Sequence, residues 1–197
     1  MVKKLLITGF DPFGGESINP SWEAVRLLPE KIGAFQLTKL QIPTKYALAA
    51  AEIRKLAENL QPDVILSVGQ AGGRDSITPE VVAINLREAS IADNAGVLKQ
   101  NEPVLNDAPA AYFATIPVRS MVSAVKEAGI PCKLSYSAGA FVCNDTLYTL
   151  LHHYAGTATK VGFIHVPFLP EQAKEGVPSL PLATITQALK IAIEAMD

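Results

Sequence analysis

The sequence predicts an α/β fold: a three-layer α/β/α sandwich, in a single domain, around a mostly parallel (mixed) twisted sheet. Short runs rich in apolar and β-branched residues recur at Lys3–Thr8, Phe35–Ile42, Val64–Val68, Val81–Leu86 and Lys160–Val166. Strands that read as apolar throughout are covered on both faces. Segments of helical periodicity alternate with them, the order expected when helices lie over a sheet. Across 197 residues no Pro/Gly/Ser-rich linker or shift in composition divides the chain. That length suits one domain, residues 1–197, with a substantial core.

The elements follow in order. Lys3–Thr8, with Leu5, Leu6 and Ile7, reads as the first strand and runs into a Gly/Pro loop at Gly9–Gly15. Asn19 is a cap and Pro20 the first position of a helix over Pro20–Leu28. Phe35–Ile42 alternates loosely, as an edge strand does. Tyr46–Leu60 places Ala49, Ile53, Leu56 and Leu60 on one face of a second helix. Val64–Val68 is a strand that opens into the turn Gly69–Arg74, and Val81–Leu86 is another strand. Ser90 to Tyr112, punctuated by Asp93-Asn94, Gly96, Asn101, Pro103 and Pro109, is too long for an ordinary connection. It reads as a flap near the site. Helices follow over Val118–Ala128, closed by Gly129, and over Cys143–Tyr154, where Leu147, Leu150, Leu151 and Tyr154 form the stripe and Asn144 and Asp145 occupy the first turn. Lys160–Val166 is the last strand and Leu182–Met196 the last helix.

Composition narrows the function. A net charge of −2, with no cluster of lysines or arginines, provides no footprint for nucleic acid. No apolar run approaches the roughly 18 residues of a membrane span. Two cysteines make no disulfide framework, and Lys3-Lys4 lead into only three apolar residues rather than a signal peptide. A reducing cytoplasm is expected. Charged residues are 18% and apolar ones 49%, which fits some surface covered by a second subunit.

Cys143 carries the chemistry. It stands where the small residues Ser135 to Ala140 give way to a helix start, and a helix N-terminus or an imidazolium can bring a thiol from about 8.5 into the ~3.5–7.5 range. The other reading is a small core thiol, which suits Cys132. A cysteine nucleophile needs a base within reach and a third group to hold the base's tautomer. His152 and His153 lie nine residues or more along the same helix, about 14 Å at 1.5 Å per residue, and are too far. His165 ends an apolar strand, where open α/β sheets collect their sites, and is the base of choice. Glu80, at the mouth of the Val81–Leu86 strand, is the candidate orienting carboxylate.

Two loops complete the picture. Gly9-Phe10-Asp11-Pro12-Phe13-Gly14-Gly15 follows the first strand, but Gly15 and Glu16 stand where a phosphate loop needs its lysine and hydroxyl. Phe10 and Phe13 form either an apolar slot for a flat, uncharged group or an anchor for the loop. Gly69-Gln70-Ala71-Gly72-Gly73-Arg74 is a second turn able to expose backbone amides.

Taken together, Thr8–Gly15 with Asn19-Pro20-Ser21, Gly69–Arg74, Ile77–Glu80 with Ala83-Ile84-Asn85, Asp93–Gly96, Ser135–Asn144 and His165–Pro170 resemble the pyroglutamyl peptidase I family of cysteine peptidases. The likeness runs nearly end to end. It implies Cys143 as nucleophile, His165 as general base and then acid, and Glu80 as the residue orienting His165. It also implies a pocket in which Phe10, Phe13 and Phe141 enclose a five-membered lactam, with Asn19 and Gln70 as polar contacts. No metal or cofactor is implied. The substrates would be peptides with N-terminal pyroglutamate, and the assembly a cytosolic homo-oligomer, a tetramer or dimer.

The chain departs from the family pattern twice. Val81 replaces a basic residue after the glutamate. More consequentially, Glu88-Ala89-Ser90 stands for Asp-Ala-Arg, so Ser90 occupies the place of an arginine that stabilises the oxyanion. Losing one oxyanion donor costs ~10²–10³ in turnover. Ser90 itself, Arg87, or the backbone N–H of Cys143 are the possible replacements, and a low-turnover or inactive pyroglutamyl-binding homologue is the alternative.

Overall fold

In the computed structural model, which describes residues 2–197, the sheet is built on β1 (Lys3–Phe10), the strand richest in buried apolar side chains near the N-terminus. It lies between β3 (Phe35–Ile42) and β4 (Val64–Gln70), both parallel to it, and β8 (Lys160–Val166) adds in parallel beyond β4. Two short strands close the ends: β2 (Lys31–Ile32) antiparallel to β3, and β5 (Thr78–Pro79) antiparallel to β8. The order is β2-β3-β1-β4-β8-β5.

Strand alternation sorts side chains into two cores. On one face Leu5, Ile7, Leu66, Val68, Ile164 and Val166 pack under α1 (Pro20–Leu27), α3 (Val118–Glu127) and α5 (Leu182–Glu194). On the other, Leu6, Ile65, Val161 and Phe163 pack under α2 (Leu48–Leu60) and α4 (Val142–His153). The three layers and the mostly parallel sheet are those the sequence predicts. Among the described residues no helix is long and apolar enough to cross a membrane.

Three expectations need correction. The predicted sheet strand Val81–Leu86 does not join the main sheet. Its place is taken by Thr78–Pro79, whose proline supplies no N–H of its own. Val82–Ile84 (β6) pairs instead with Ala111–Phe113 (β7) in a separate two-stranded sheet. Secondly, Phe35–Ile42 is not the outermost strand, because β2 folds back onto it. Thirdly, the second helix begins at Leu48 rather than Tyr46. Ala47 has φ of 59°, and the Tyr46 N–H is taken by the Asp93 carboxylate at 2.9 Å.

The long segment 90–110 has no regular element, yet it is tied down. Asp93 is buried and accepts three backbone N–H bonds, from Tyr46, Ala95 and Val97, each at 2.9 Å. The Asn94 amide donates to Asp11 Oδ1 at 3.1 Å and to the Pro12 carbonyl at 2.8 Å. The segment is thus fastened to the Gly9–Gly15 loop, beside the end of β1.

Candidate active site

His165 is the next-to-last residue of β8, and alternation after Phe163 turns it to the α2/α4 face of the sheet. Gly69, on β4, is its register partner. Paired residues on neighbouring strands share a face and lie about 4.8 Å apart. The absent side chain of Gly69 leaves a hollow there. A Cβ at Gly69 would stand 2.9 Å from Cys143 Sγ and 2.7 Å from the Phe163 ring. Thiol and imidazole therefore occupy neighbouring positions on one face. Cys143 is the second residue of α4, part-buried, with no side-chain cap on the helix. The N–H groups of this first turn have no partner within the helix.

The imidazole is held from behind. Nδ1 of His165 lies 2.7 Å from Glu80 Oε1, and both residues are buried. With Nδ1–H donating to the carboxylate, Nε2 carries the lone pair. Glu80 reaches this place because its own N–H bonds the Phe163 carbonyl at 2.9 Å, which continues β5 alongside β8. Arg74 also donates to Oε1, at 2.7 Å. Among the described residues no hydrogen bond joins the thiol to the imidazole; such bonds commonly tighten only around substrate.

The surroundings set the protonation states. Burial would raise the Glu80 carboxyl, but the hydrogen bond and charge of His165, with the Arg74 guanidinium, outweigh it and hold the group below the ordinary carboxylate range. Burial pushes the His165 imidazole down from 6.5, against the pull of Glu80. Burial, then the Glu80 charge, push the Cys143 thiol up to about 12, with Arg74 opposing. Burial and the Glu80 carboxylate thus work against the thiolate that the helix N-terminus favours, and the lowered imidazole is suited to accept a proton.

The aromatic residues separate into two groups. Phe13 and Phe141 face each other with ring centroids 6.0 Å apart, and Tyr46 packs edge-on to Phe141 at 5.5 Å. Phe10 lies deeper, 2% exposed, against Phe163, which in turn packs on His165 at 4.7 Å. The Asn19 amide is spent inside the protein: Nδ2 donates to the Asp11 carbonyl at 2.9 Å and Oδ1 accepts from Ser21 N–H at 3.1 Å and Oγ at 2.7 Å. Gln70, at the end of β4, accepts at Oε1 from Gln172 at 3.1 Å, which leaves its own amide N–H groups uncommitted.

The two oxyanion candidates differ in placement. Arg87 is engaged elsewhere, with Nε 2.6 Å and Nη2 2.5 Å from Asp145 Oδ1 and its guanidinium over the Tyr46 ring. Asp145 is two positions from Cys143, about 200° round the helix. Ser90 is exposed, just beyond Glu88, whose N–H bonds the Ala140 carbonyl at 3.0 Å. His152 and His153 are exposed at the far end of α4, where His152 meets the Tyr112 hydroxyl at 2.8 Å. Two residues escaped the sequence reading. Arg74 looked like the end of a glycine turn, and its signal was a lone cation six residues before a buried glutamate. Asp93 looked like part of a flap.

The model of the pyroglutamyl peptidase family matches residues 3–197. The chain belongs to that family. It is 47% identical over 194 residues to the pyrrolidone-carboxylate peptidase of Thermococcus onnurineus, covering 97% of each chain. To that of Bacillus cereus it is 46% identical over 198 residues, covering 98% of this chain and 92% of the relative. The crystal structure of Bacillus amyloliquefaciens pyroglutamyl peptidase I superposes with a TM-score of 0.96 at 47% identity, over 100% of this chain and 95% of that one. The Thermococcus litoralis pyrrolidone carboxyl peptidase gives 0.93 at 36% identity, over 98% and 93%.

Proposed function

We propose that this chain is a cysteine exopeptidase, one catalytic domain over residues 1–197, that removes an N-terminal pyroglutamyl residue from peptides through a thioester acyl-enzyme. The observation that carries this reading is the end-to-end family match in a chain whose thiol, imidazole and carboxylate converge on one sheet face.

Substrate brings its scissile carbonyl to Cys143. The neutral imidazole of His165 takes the thiol proton at Nε2 as sulfur attacks, and the Glu80 carboxylate steadies the imidazolium that forms. The oxyanion develops over the opening N–H groups of α4, that of Cys143 among them, where the helix dipole favours negative charge. His165 returns the proton to the departing amine. Water, deprotonated by the same imidazole, then clears the thioester.

Phe13 and Phe141 suit the flat lactam, with Phe10 packed behind them on Phe163, which backs His165, and Gln70 offering amide donors. Asn19 acts one step back, by holding the Asp11 backbone. A pyroglutamyl end carries no ammonium, so aromatic faces and neutral donors fit it better than the carboxylate an ordinary aminopeptidase needs. The peptidase names of the relatives do not favour the low-turnover alternative raised by Ser90. A cytosolic setting and a homo-oligomer belong to the same proposal, supported by two free cysteines and by exposed Phe113, Tyr136 and Leu98.

The test is release of amine from a pyroglutamyl fluorogenic amide, with and without iodoacetamide, and in Cys143→Ser. A burst of one amine per active site, abolished by either treatment, is expected. Release that survives both would falsify the thiol mechanism, and tight pyroglutamate binding without a burst would support the low-turnover alternative.

A further inference from the structure

The mechanism above leaves Arg74 unused, although its guanidinium has three partners on two segments, 78–80 and the Ser137 loop. Nη1 lies 2.5 Å from Thr78 Oγ1 and 2.7 Å from Glu80 Oε1, and Nη2 lies 3.0 Å from the Ser137 carbonyl. Oε1 is also the oxygen that receives Nδ1–H of His165, at 2.7 Å. One carboxylate oxygen is thus shared between a permanent cation and the candidate base. The other, Oε2, is buried with no hydrogen-bond partner among the described residues.

We propose that Arg74 is a positioning residue of this catalytic constellation: it clamps the Glu80 carboxylate against His165 Nδ1 and keeps the imidazole in its neutral, proton-accepting form. The proposal rests on the peptidase reading for its catalytic meaning. Two effects act together. The clamp fixes the rotamer of an otherwise half-satisfied buried carboxylate, and so the ring orientation and tautomer. The guanidinium also offsets part of the negative charge that would otherwise draw a second proton onto the ring.

The groups around His165 come from four elements: Glu80 from the segment after β5, Arg74 from the turn after β4, Cys143 from α4, and the uncharged Thr78 of β5, Gly69 of β4 and Phe163 of β8. Of these Arg74 alone is a permanent cation. Its direct influence on the imidazole is to lower the affinity for a proton. The side chain is 25% exposed, so an uncharged replacement has room.

The test compares wild type, Arg74→Gln and Arg74→Lys by NMR titration of the His165 imidazole, assigned against His165→Gln, and by the pH profile of kcat/KM on a pyroglutamyl amide. In Arg74→Gln the His165 midpoint and the acid limb move upward together, and kcat on the plateau falls about tenfold. Arg74→Lys, which keeps the charge, returns both midpoints toward wild type. An unmoved midpoint in Arg74→Gln, with or without loss of kcat, overturns the proposal and leaves Arg74 a structural tie. Should Arg74→Gln fail to fold, Arg74→Met is read by the same two outcomes. A wild-type enzyme that released no amine would instead sink the peptidase reading, and the NMR titration would still decide what Arg74 does to the ring.

Discussion

Gly69 and Cys143 share one hollow: the position a Gly69 Cβ would fill lies 2.9 Å from the Cys143 sulfur. β4 and β8 run side by side because both are buried apolar strands, and α4 crosses above them with its first turn over this gap. The glycine is needed for space, since β4 here is ordinary strand. A methyl at this place pushes against both the thiol and the Phe163 ring that supports His165. Gly69→Ala is expected to lower kcat about a hundredfold by displacing the sulfur and to cost about 1–3 kcal/mol from overpacking. Steady-state kinetics and thermal unfolding measure the two effects, and full activity in a folded Gly69→Ala would show that the thiol does not work from this hollow.

The protonation states give a pH signature. Attack requires an unprotonated His165, so kcat/KM falls as the pH drops through the imidazole midpoint, which burial places below 6.5. With the thiol held neutral up to about 12, no thiolate ultraviolet absorbance is expected from free enzyme at pH 7. Absorbance difference between wild type and Cys143→Ser decides this. A thiolate band at neutral pH would mean that the pair rests as thiolate and imidazolium.

Arg87 and Ser90 are predicted to respond in opposite ways. Arg87 neutralises an Asp145 carboxylate with a fully buried side chain, so Arg87→Ala leaves that charge unpaired and costs about 3–5 kcal/mol in unfolding free energy. Ser90→Arg restores an oxyanion donor and raises kcat about tenfold or more. Denaturant unfolding and kcat on the same preparations separate the two. A fall in kcat for Arg87→Ala with unchanged stability would instead identify Arg87 as the substitute donor.

Asp93 links the 90–110 segment to the turn that precedes α2. Its carboxyl would be raised by burial, but the N–H groups of Tyr46, Val97 and Ala95 hold it low. The stability it contributes is present above the ordinary carboxylate range and lost as the pH falls through its depressed folded value. Asp93→Ala leaves three N–H groups unanswered. A loss of about 1–3 kcal/mol and a raised KM are expected, with faster amide exchange at Ala95 and Val97. Unchanged exchange there would mean that other contacts hold the segment.

Local chemistry made much of this protein legible in the sequence. Apolar runs and helical stripes mark the layers because burial imposes those periods, and Asn19-Pro20 and Gly129 mark helix ends because caps are local events. Cys143, His165 and Glu80 could be singled out by their positions at element ends. What no local pattern reveals is pairing. The strand order, the departure of Val82–Ile84 to a second sheet, the Gly69 hollow and the Arg87–Asp145 pair join residues far apart in the chain, and the Arg74–Glu80 clamp meets His165 only through such a pairing, so their geometry exists only once the layers have packed. The protonation of the thiol belongs to the same class, because it depends on how much water and how much charge the folded chain leaves around one sulfur.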